Sequence, residues 1–295
     1  MKKKVYIICG PTASGKSDLA IEQALANNGV IINADSQQVY KDLPILTACP
    51  SMVDMEKVSH KLYGFFEGYR RMDAALWLSY VTKEIKEVFA QGKTPYVVGG
   101  TGFYIKALTE GLSVIPSVPL NIRIQVRKEG IKAKNEYLYN IVKKYDPDLA
   151  ARISPSDRQR MLRGIEVYRG TGVPLSAWQR NKKIRPLPEV DFDINIVDYE
   201  MPVLEERIKL RTEKMLEMGV VDEVKKLLSL GYDETRAPIF KVIGVATIRK
   251  YLNGEYSIDE MKKELVLLTR QYAKRQRTFF RTQLSHDKDK KETKD

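Results

Sequence analysis

The chain has 295 residues, of which 43% are hydrophobic and 9% aromatic, a composition typical of a folded globular protein and not of a disordered one. Lysine and arginine outnumber aspartate and glutamate by 50 to 38, and the resulting net charge of +12 favours a polyanionic partner. The two isolated cysteines and two histidines supply neither a disulfide framework nor a zinc-ligand cluster.

The predicted elements alternate between strand and helix. Short apolar runs predict buried strands at 5–9, 30–34, 95–98 and 192–197, with a weaker fifth strand at 60–65. Helical patterns span 16–25 and 74–90 between them. This alternation predicts an α/β fold in which a parallel sheet is covered by helices on both faces.

The window 116–190 differs in character from the rest of the chain. It is helical in pattern, is bracketed by prolines, and carries 16 lysines and arginines against 7 acidic residues, a net charge of +9. We therefore predict a helical insertion at 116–190 within a core made of 1–115 plus 191–284. The core is predicted to end in long helices at 202–230 and 258–284, and the charged tail 285–295 to be disordered.

No apolar run approaches the roughly 18 residues of a membrane span. The run at 5–9 follows three lysines but is too short for a signal peptide. We therefore expect a cytoplasmic protein with no membrane contact, and we take a monomer as its expected state.

The first motif is Gly10-Pro11-Thr12-Ala13-Ser14-Gly15-Lys16-Ser17, directly after the first strand and before the first helix. It matches the phosphate-binding pattern G-x-x-x-x-G-K-[ST], in which backbone N–H groups and a helix N-terminus surround a phosphate. Lys16 would neutralise phosphate oxygens, and the Ser17 hydroxyl would hold Mg²⁺. The motif predicts a P-loop NTPase-like core but leaves the reaction open.

Two further motifs end strands of the same predicted sheet. Asp35-Ser36-Gln37-Gln38-Val39-Tyr40 follows strand 30–34, and Gly99-Gly100-Thr101-Gly102-Phe103-Tyr104 follows strand 95–98. Ligands of parallel α/β sheets bind outside the carboxyl ends of the strands, so both motifs are predicted to face whatever Lys16 holds. By position alone, Asp35 fits a helix cap, a group near Mg²⁺ or a base, and Thr101 fits a helix cap or a substrate contact.

In this order and spacing, the three motifs resemble those of the tRNA dimethylallyltransferase (tRNA isopentenyltransferase) family of bacterial type. The resemblance continues in the arginine-rich segment 158–168, in Arg207-Ile208-Lys209-Leu210-Arg211 and in the basic segment 269–281, and covers nearly the whole chain except the tail. The chain departs from the family pattern at Val245-Ala246-Thr247, where Tyr-Lys-Glu is usual, and at Ala48-Cys49-Pro50, where a lysine often precedes the proline.

The resemblance implies transfer of a dimethylallyl group from dimethylallyl diphosphate to the N6 amine of adenosine 37, next to the tRNA anticodon, with release of diphosphate. Residues 10–17 would bind the diphosphate with Mg²⁺, in place of ATP. Asp35 would accept a hydrogen bond or proton from the amine, Thr101 would bond the diphosphate or reacting region, and Arg211 would pair with the leaving phosphate. The residues implied in contacting the anticodon stem-loop are Asp35, Ser36, Gln37, Gln38, Thr101, Arg123, Gln159, Arg160, Met161, Leu162, Arg163, Arg270, Lys274, Arg275 and Arg277.

Charge and spacing add an expectation about RNA binding. The predicted C-terminal helix carries a basic stripe without interleaved acidic residues, formed by Arg270, Lys274, Arg277 and Arg281. It is backed by an apolar stripe that would seat the helix on the core, formed by Leu265, Leu268, Tyr272 and Phe279. We expect the basic stripe to contact RNA phosphates, and Gln37 and Gln38 to read neighbouring bases through their amides.

Three other functions stay open. An adenylate isopentenyltransferase would share the core but act on a free nucleotide, which needs neither a basic insertion nor a basic C-terminal helix. A small-molecule kinase would share the phosphate loop but leaves the motifs at 35–40 and 99–104 unexplained. A non-catalytic RNA-binding protein would have no use for Lys16 and Ser17.

Overall fold

The computed structural model describes residues 2–284, so the tail at 285–295 lies outside the described residues. Five strands form one parallel sheet in the spatial order β3-β2-β4-β1-β5. Their bounds are Lys3–Cys9 (β1), Gly29–Asn33 (β2), His60–Lys61 (β3), Thr94–Gly99 (β4) and Val190–Ile196 (β5). The α/β class and the parallel sheet are therefore confirmed. The weaker strand predicted at 60–65 is only two residues long.

Thirteen α-helices lie within the described part of the chain, together with one 3₁₀ turn, Pro238–Lys241. The helices are Lys16–Ala26 (α1), Met52–Lys57 (α2), Ala74–Ala90 (α3), Gly102–Glu110 (α4), Leu120–Lys132 (α5), Asn135–Tyr145 (α6), Pro147–Ala150 (α7), Arg158–Thr171 (α8), Leu175–Arg180 (α9), Met201–Glu217 (α10), Val220–Ser229 (α11), Val245–Leu252 (α12) and Ile258–Gln283 (α13).

Alternate residues of the strands face two separate hydrophobic clusters. Ile7 and Val97 lie in the larger cluster, which includes Trp77 of α3, whereas Ile8 and Val98 lie in a smaller cluster with Ala20 and Ala24 of α1. Because successive side chains of a strand point to opposite faces, this division shows that both faces of the sheet are covered. Full burial of each such aliphatic side chain contributes about 1.5–3 kcal/mol, so the central strands are rigid supports for the loops at their ends.

Residues 110–185 form a compact unit of their own, and residues 2–109 with 186–284 form the other. The smaller unit contains α5 to α9 and its own core around Met161, Val126 and Leu138. The sequence predicted an insertion at 116–190; the compact unit begins six residues earlier and ends five residues earlier.

The long helix predicted at 202–230 is wrong, because this segment is two helices, α10 and α11. Gly219 separates them with a φ of +89°, a left-handed conformation that is unstrained for glycine. The break turns α11 so that the Glu223 carboxylate accepts hydrogen bonds from the backbone N–H groups of Ile45 and Leu46, at 2.7 and 2.8 Å. No helix within residues 2–284 is both long and apolar enough to cross a membrane.

Candidate active site

Residues 10–17, which we call the phosphate loop after their sequence pattern, lead from β1 into α1, as predicted. Ala13 and Gly15 take left-handed conformations, with φ of +64° and +80°, and α1 begins at Lys16. The Lys16 side chain is half-buried and its Nζ donates to the Pro11 carbonyl at 3.2 Å. The loop therefore folds back over its own lysine, and the end of α1 that carries partial positive charge faces the loop.

Burial is the main influence on the pKa of Lys16. It lowers the pKa of the ammonium group to about 8, an effect that the nearby Asp35 carboxylate opposes and the Arg211 guanidinium reinforces. Burial also raises the pKa of the adjacent Cys9 thiol to about 12, with Lys16 acting in the opposite direction. Lys16 is thus a desolvated cation whose charge an anionic ligand would stabilise strongly.

Asp35 lies two residues beyond β2 and is held by its own turn. Its backbone N–H donates to Asn33 Oδ1 at 2.7 Å, and its Oδ1 accepts the Gln37 N–H at 2.9 Å. Asn33 is fully buried and also donates to the Leu62 carbonyl at 2.9 Å, which anchors this turn to the next loop. The Asp35 side chain is 8% exposed, so a carboxylate is held close to Lys16 with little water around it.

Thr101 lies beside the same turn. Its hydroxyl oxygen accepts the Ser36 N–H at 2.9 Å and lies 3.1 Å from the Ser36 hydroxyl, while its own N–H donates to the Ala34 carbonyl at 3.1 Å. Tyr272 of α13 also bonds to Thr101 and Gln37; burial raises the pKa of its phenol, against the effect of those bonds. The loops after β2 and β4 are thus tied together, and both motifs lie at one edge of the sheet.

Arg211 brings α10 into the same site. Its Nη1 donates to the Thr12 hydroxyl at 2.8 Å and its Nη2 to the Thr47 carbonyl at 3.3 Å. Burial lowers the pKa of this guanidinium, and Asp35 opposes the shift. One turn earlier, Arg207 lies over the Tyr199 ring at 4.3 Å, and its Nη1 is 3.4 Å from the Ala13 carbonyl. Two arginines of one helix therefore flank the phosphate loop.

A cavity opens between these groups. Thr12, Asp35 and Arg211 form part of its polar wall, whereas its apolar wall comprises Leu46, Ile208, Met215, Val220, Ile243 and Leu265. A ligand with a charged end and a short branched apolar end would match both walls. No group of three or more histidine, cysteine, aspartate or glutamate side chains within residues 2–284 could hold a metal ion.

Two residues that attach α13 to this site were missed from sequence. Gln276 of α13 accepts the Thr12 N–H at 2.8 Å and donates to the Gly100 carbonyl at 2.8 Å. Tyr272, which the sequence pattern assigns to the apolar stripe of that helix, lines the cavity. Nothing in a single sequence distinguishes a glutamine that reaches two distant loops from one that faces solvent.

The Gln37 and Gln38 side chains, which we expect to read RNA bases, also make hydrogen bonds within the protein. The Gln38 side-chain nitrogen donates to the Thr47 and Ala48 carbonyls, at 3.0 and 2.6 Å, so both of its N–H groups are occupied. The Gln37 side-chain oxygen accepts the Ile243 N–H at 3.0 Å. Both half-buried amides therefore bond to backbone groups of neighbouring loops.

The basic stripe of α13 has no interleaved acidic residue, but it has acidic partners from other segments of the chain. Asp198 and Glu200 bond to Arg277, at 2.7 and 2.8 Å, and Glu205 lies 2.9 Å from Arg270. These acids lie just after β5 and at the start of α10, far away in sequence. Arg277 is only 8% exposed, and its two ion pairs hold α13 against the segment between β5 and α10. Lys274 and Arg275, in contrast, are exposed.

In the smaller unit, the segment expected to contact tRNA is the first turn of α8. Gln159 and Arg160 are exposed, with Arg160 3.1 Å from Asp157. Met161 is 0% exposed and lies in the core of the unit, so a side-chain contact with RNA is contradicted there. Leu162, Arg163 and Arg123 are half-buried, and Arg163 lies 3.7 Å from the buried Glu166.

Comparison with known proteins places this chain in a family. The family model described as IPP transferase matches residues 38–283, and the model described as isopentenyl transferase matches residues 3–63. The tRNA dimethylallyltransferase of Chelativorans sp. is 42% identical over 290 residues, which cover 97% of this chain and 98% of that protein. That of Azorhizobium caulinodans is 41% identical over 284 residues, which cover 96% and 91% of the two chains.

Solved structures agree with this placement. A eukaryotic dimethylallyltransferase acting on tRNA matches with a TM-score of 0.81 at 27% identity, over 97% of this chain and 72% of that chain. The tRNA isopentenylpyrophosphate transferase of Bacillus halodurans matches with a TM-score of 0.65 at 30% identity, over 96% and 88%. Since one family model spans well over half of the sequence and these relatives span nearly all of it, the chain belongs to the IPP transferase family.

Proposed function

We propose that the protein transfers a dimethylallyl group from dimethylallyl diphosphate to the N6 amine of adenosine 37 in tRNA and releases diphosphate. One observation carries the proposal: Arg211 and Asp35 line a cavity that also has an apolar wall, and Arg211 bonds to Thr12 of the loop that carries Lys16. The cations suit a diphosphate leaving group, the carboxylate suits an amine that must lose a proton, and the apolar wall suits a five-carbon prenyl group.

The proposal assigns a role to each part of the chain. The unit with the sheet would be a P-loop-like catalytic core that binds the donor, and residues 110–185 would be an inserted helical unit that grips the anticodon stem. Asp35, Ser36, Thr101 and the exposed Lys274 and Arg275 would contact the anticodon loop. The absence of a disulfide framework in the composition supports a reducing, cytoplasmic setting.

In the reaction, the bond between the allylic carbon and the diphosphate oxygen breaks, and a bond between that carbon and N6 of adenine forms. Lys16 and Arg211 stabilise the charge that develops on the leaving oxygen. The Asp35 Oδ1 already accepts the Gln37 N–H, so we assign Oδ2 to accept the proton from N6. The target base must leave its stack to reach this buried carboxylate.

A magnesium ion would supply further positive charge on the leaving diphosphate. The Ser17 side chain is exposed in the first turn of α1, where its hydroxyl can provide one ligand. Because residues 2–284 contain no cluster of metal-binding side chains, the other ligands would come from phosphate and water, as is usual for this ion. We therefore propose Mg²⁺ with Ser17 as its protein ligand.

The direct test incubates the protein with labelled dimethylallyl diphosphate and Mg²⁺ in separate reactions that contain either bulk tRNA or AMP. A parallel reaction contains ATP in place of the prenyl donor. We expect label only in tRNA, and only in those tRNAs that carry adenosine at position 37. Efficient labelling of AMP would identify an adenylate isopentenyltransferase. Turnover of ATP without any labelling of RNA would identify a kinase.

A second test examines the basic face of α13. Replacing Lys274 and Arg275 together by alanine should weaken tRNA binding and flatten its dependence on salt concentration. The logarithm of affinity falls by about 0.7–0.9 per phosphate contact for each tenfold increase in salt, so two lost contacts should reduce the slope by about 1.4–1.8. Binding is measured across a salt series for the parent and the double variant.

The matched control replaces two exposed lysines of α3, Lys83 and Lys86, by alanine, which removes the same charge elsewhere. The control should keep nearly the parental slope. An equal change of slope in the two double variants would mean that total charge matters and that α13 makes no specific contact with RNA.

A further inference from the structure

Gln276 occupies an unusual place for an uncharged polar side chain. It lies on the inner side of α13, is 5% exposed, and makes two hydrogen bonds to backbone groups of two different loops. Its Oε1 accepts the Thr12 N–H of the phosphate loop at 2.8 Å, and its Nε2 donates to the Gly100 carbonyl at 2.8 Å. A single amide thus spans the gap between the loop after β1 and the loop after β4.

Each end of this bridge leads directly to a group of the proposed reaction. On one side, the Thr12 hydroxyl accepts from Arg211 at 2.8 Å, so the residue held by Gln276 also holds the arginine assigned to the leaving diphosphate. On the other side, Gly100 precedes Thr101, whose hydroxyl binds the turn that carries Asp35. Gln276 therefore connects the donor side of the site to the acceptor side.

The sequence of the third motif accommodates this bridge. A Cβ atom added to Gly100 would lie 2.2 Å from Gln276 Nε2, far inside van der Waals contact. One helical turn before Gln276, and on the same face of α13, Tyr272 bonds to Gln37 and Thr101. The two side chains together attach α13 to the loops after β1, β2 and β4.

We propose that Gln276 is a positioning residue that sets the spacing between the diphosphate loop and the acceptor loops. The inference rests on the proposed function, because the amine, the allylic carbon and the leaving oxygen must be aligned for transfer. A misplacement of about 1 Å costs on the order of 10²-fold in rate even when both substrates still bind. Gln276 would act through Thr12 and Gly100 and would touch neither substrate.

The first variant is Gln276→Met, which keeps the length of the side chain but removes both hydrogen bonds. At saturating donor and tRNA, we expect the single-turnover rate of transfer to fall by about 10²-fold. Affinity for inorganic pyrophosphate and for tRNA should each change by less than about threefold, since the phosphate-binding N–H groups and the basic face remain. The control is Thr278→Ala, two residues away and exposed, whose hydroxyl bonds only to the Lys274 carbonyl at 3.0 Å.

The second variant, Gln276→Glu, tests the bridge by protonation and keeps the inference testable if the methionine variant does not fold. An ionised glutamate can accept from Thr12 but cannot donate to Gly100, whereas a protonated glutamate can do both. The rate of this variant relative to the parent should therefore rise as the pH is lowered from about 8 to about 5.5. A residue that only fills space would show no such recovery.

The outcomes separate the two proposals. A parent that prenylates tRNA, together with Gln276 variants whose rates stay within about threefold of it, would overturn the positioning role alone. Rates and both affinities that fall in parallel would also overturn it, because that pattern marks an ordinary structural contact. A parent without prenyl transfer would overturn the proposed function and this inference with it.

Discussion

Asp35→Asn is expected to slow prenyl transfer by about 10²–10⁴-fold, because the amide keeps the shape of the carboxylate but cannot accept the proton of the adenine amine. The hydrogen bond from the Gln37 N–H can be kept by the amide oxygen, so the turn after β2 should hold its shape. The loss should therefore appear in the single-turnover rate at saturating substrates. Affinity for tRNA should stay close to that of the parent.

The matched control for this variant is Asp18→Asn, which removes an exposed carboxylate from the first turn of α1. Its rate should be nearly parental, apart from a small effect on the helix end. The result that would contradict our assignment is near-normal turnover in Asp35→Asn combined with a raised requirement for Mg²⁺. Asp35 would then belong to the metal site and would not take the proton.

Lys16→Met should reduce transfer by about 10²–10³-fold, the effect expected when one preorganised charge on a leaving group is lost. Its affinity for inorganic pyrophosphate should also fall, since the half-buried Lys16 ammonium is the cation of the loop itself. Affinity for tRNA should be unchanged, because the exposed basic residues of α13 and α8 are intact. Transfer at the parental rate would exclude the phosphate loop as the donor site.

The pH dependence provides an independent check on Lys16. Burial lowers the pKa of its ammonium group to about 8, so the free protein loses this charge as the pH rises through that value. Pyrophosphate binds the charged form, and its affinity should therefore decrease above pH 8, by up to about tenfold per pH unit.

Two variants isolate that effect. Lys16→Met has no charge to lose, and Lys16→Arg stays charged across the range because a guanidinium does not deprotonate. Both should lack the decrease that begins near pH 8 in the parent. Ionisation of pyrophosphate itself is common to all three proteins, so the ratio of affinities reports Lys16 alone. A parental profile that matches the arginine variant would show that Lys16 keeps its charge in the free protein.

Much of the site could be predicted from sequence because it depends on local patterns and on one rule of sheet architecture. The apolar runs at 5–9, 30–34 and 95–98 read as buried strands, and each is followed by a polar or glycine-rich motif. Carboxyl ends of parallel strands lie at one edge, so Lys16, Asp35 and Thr101 were expected to converge. The Asp35 carboxylate raises the pKa of Lys16 against the effect of burial, and the turn that carries Asp35 is linked to Thr101 through Ser36, as this expectation requires.

The sequence was a poor guide where the contacting residues are distant from each other in the chain. The stripe on α13 looked unpaired because no acid is interleaved with its arginines, yet Asp198, Glu200 and Glu205 reach it from α10 and the segment before it. Helical periodicity also continues smoothly through Gly219, where the chain in fact turns. Periodicity describes one helix face, and it contains no information about which other segment packs on that face.

The parallel α/β core, the phosphate loop and the two motifs beside it were predictable from the amino-acid sequence, since each depends on neighbouring residues and on the order of the strands. The spacing at which these loops are held depends on contacts that form in the folded chain. Gln276 bonds to Thr12 across 264 positions and to Gly100 across 176. Such a bond forms because burial leaves each polar group few partners, and which partners are in reach is settled only when the whole chain has packed.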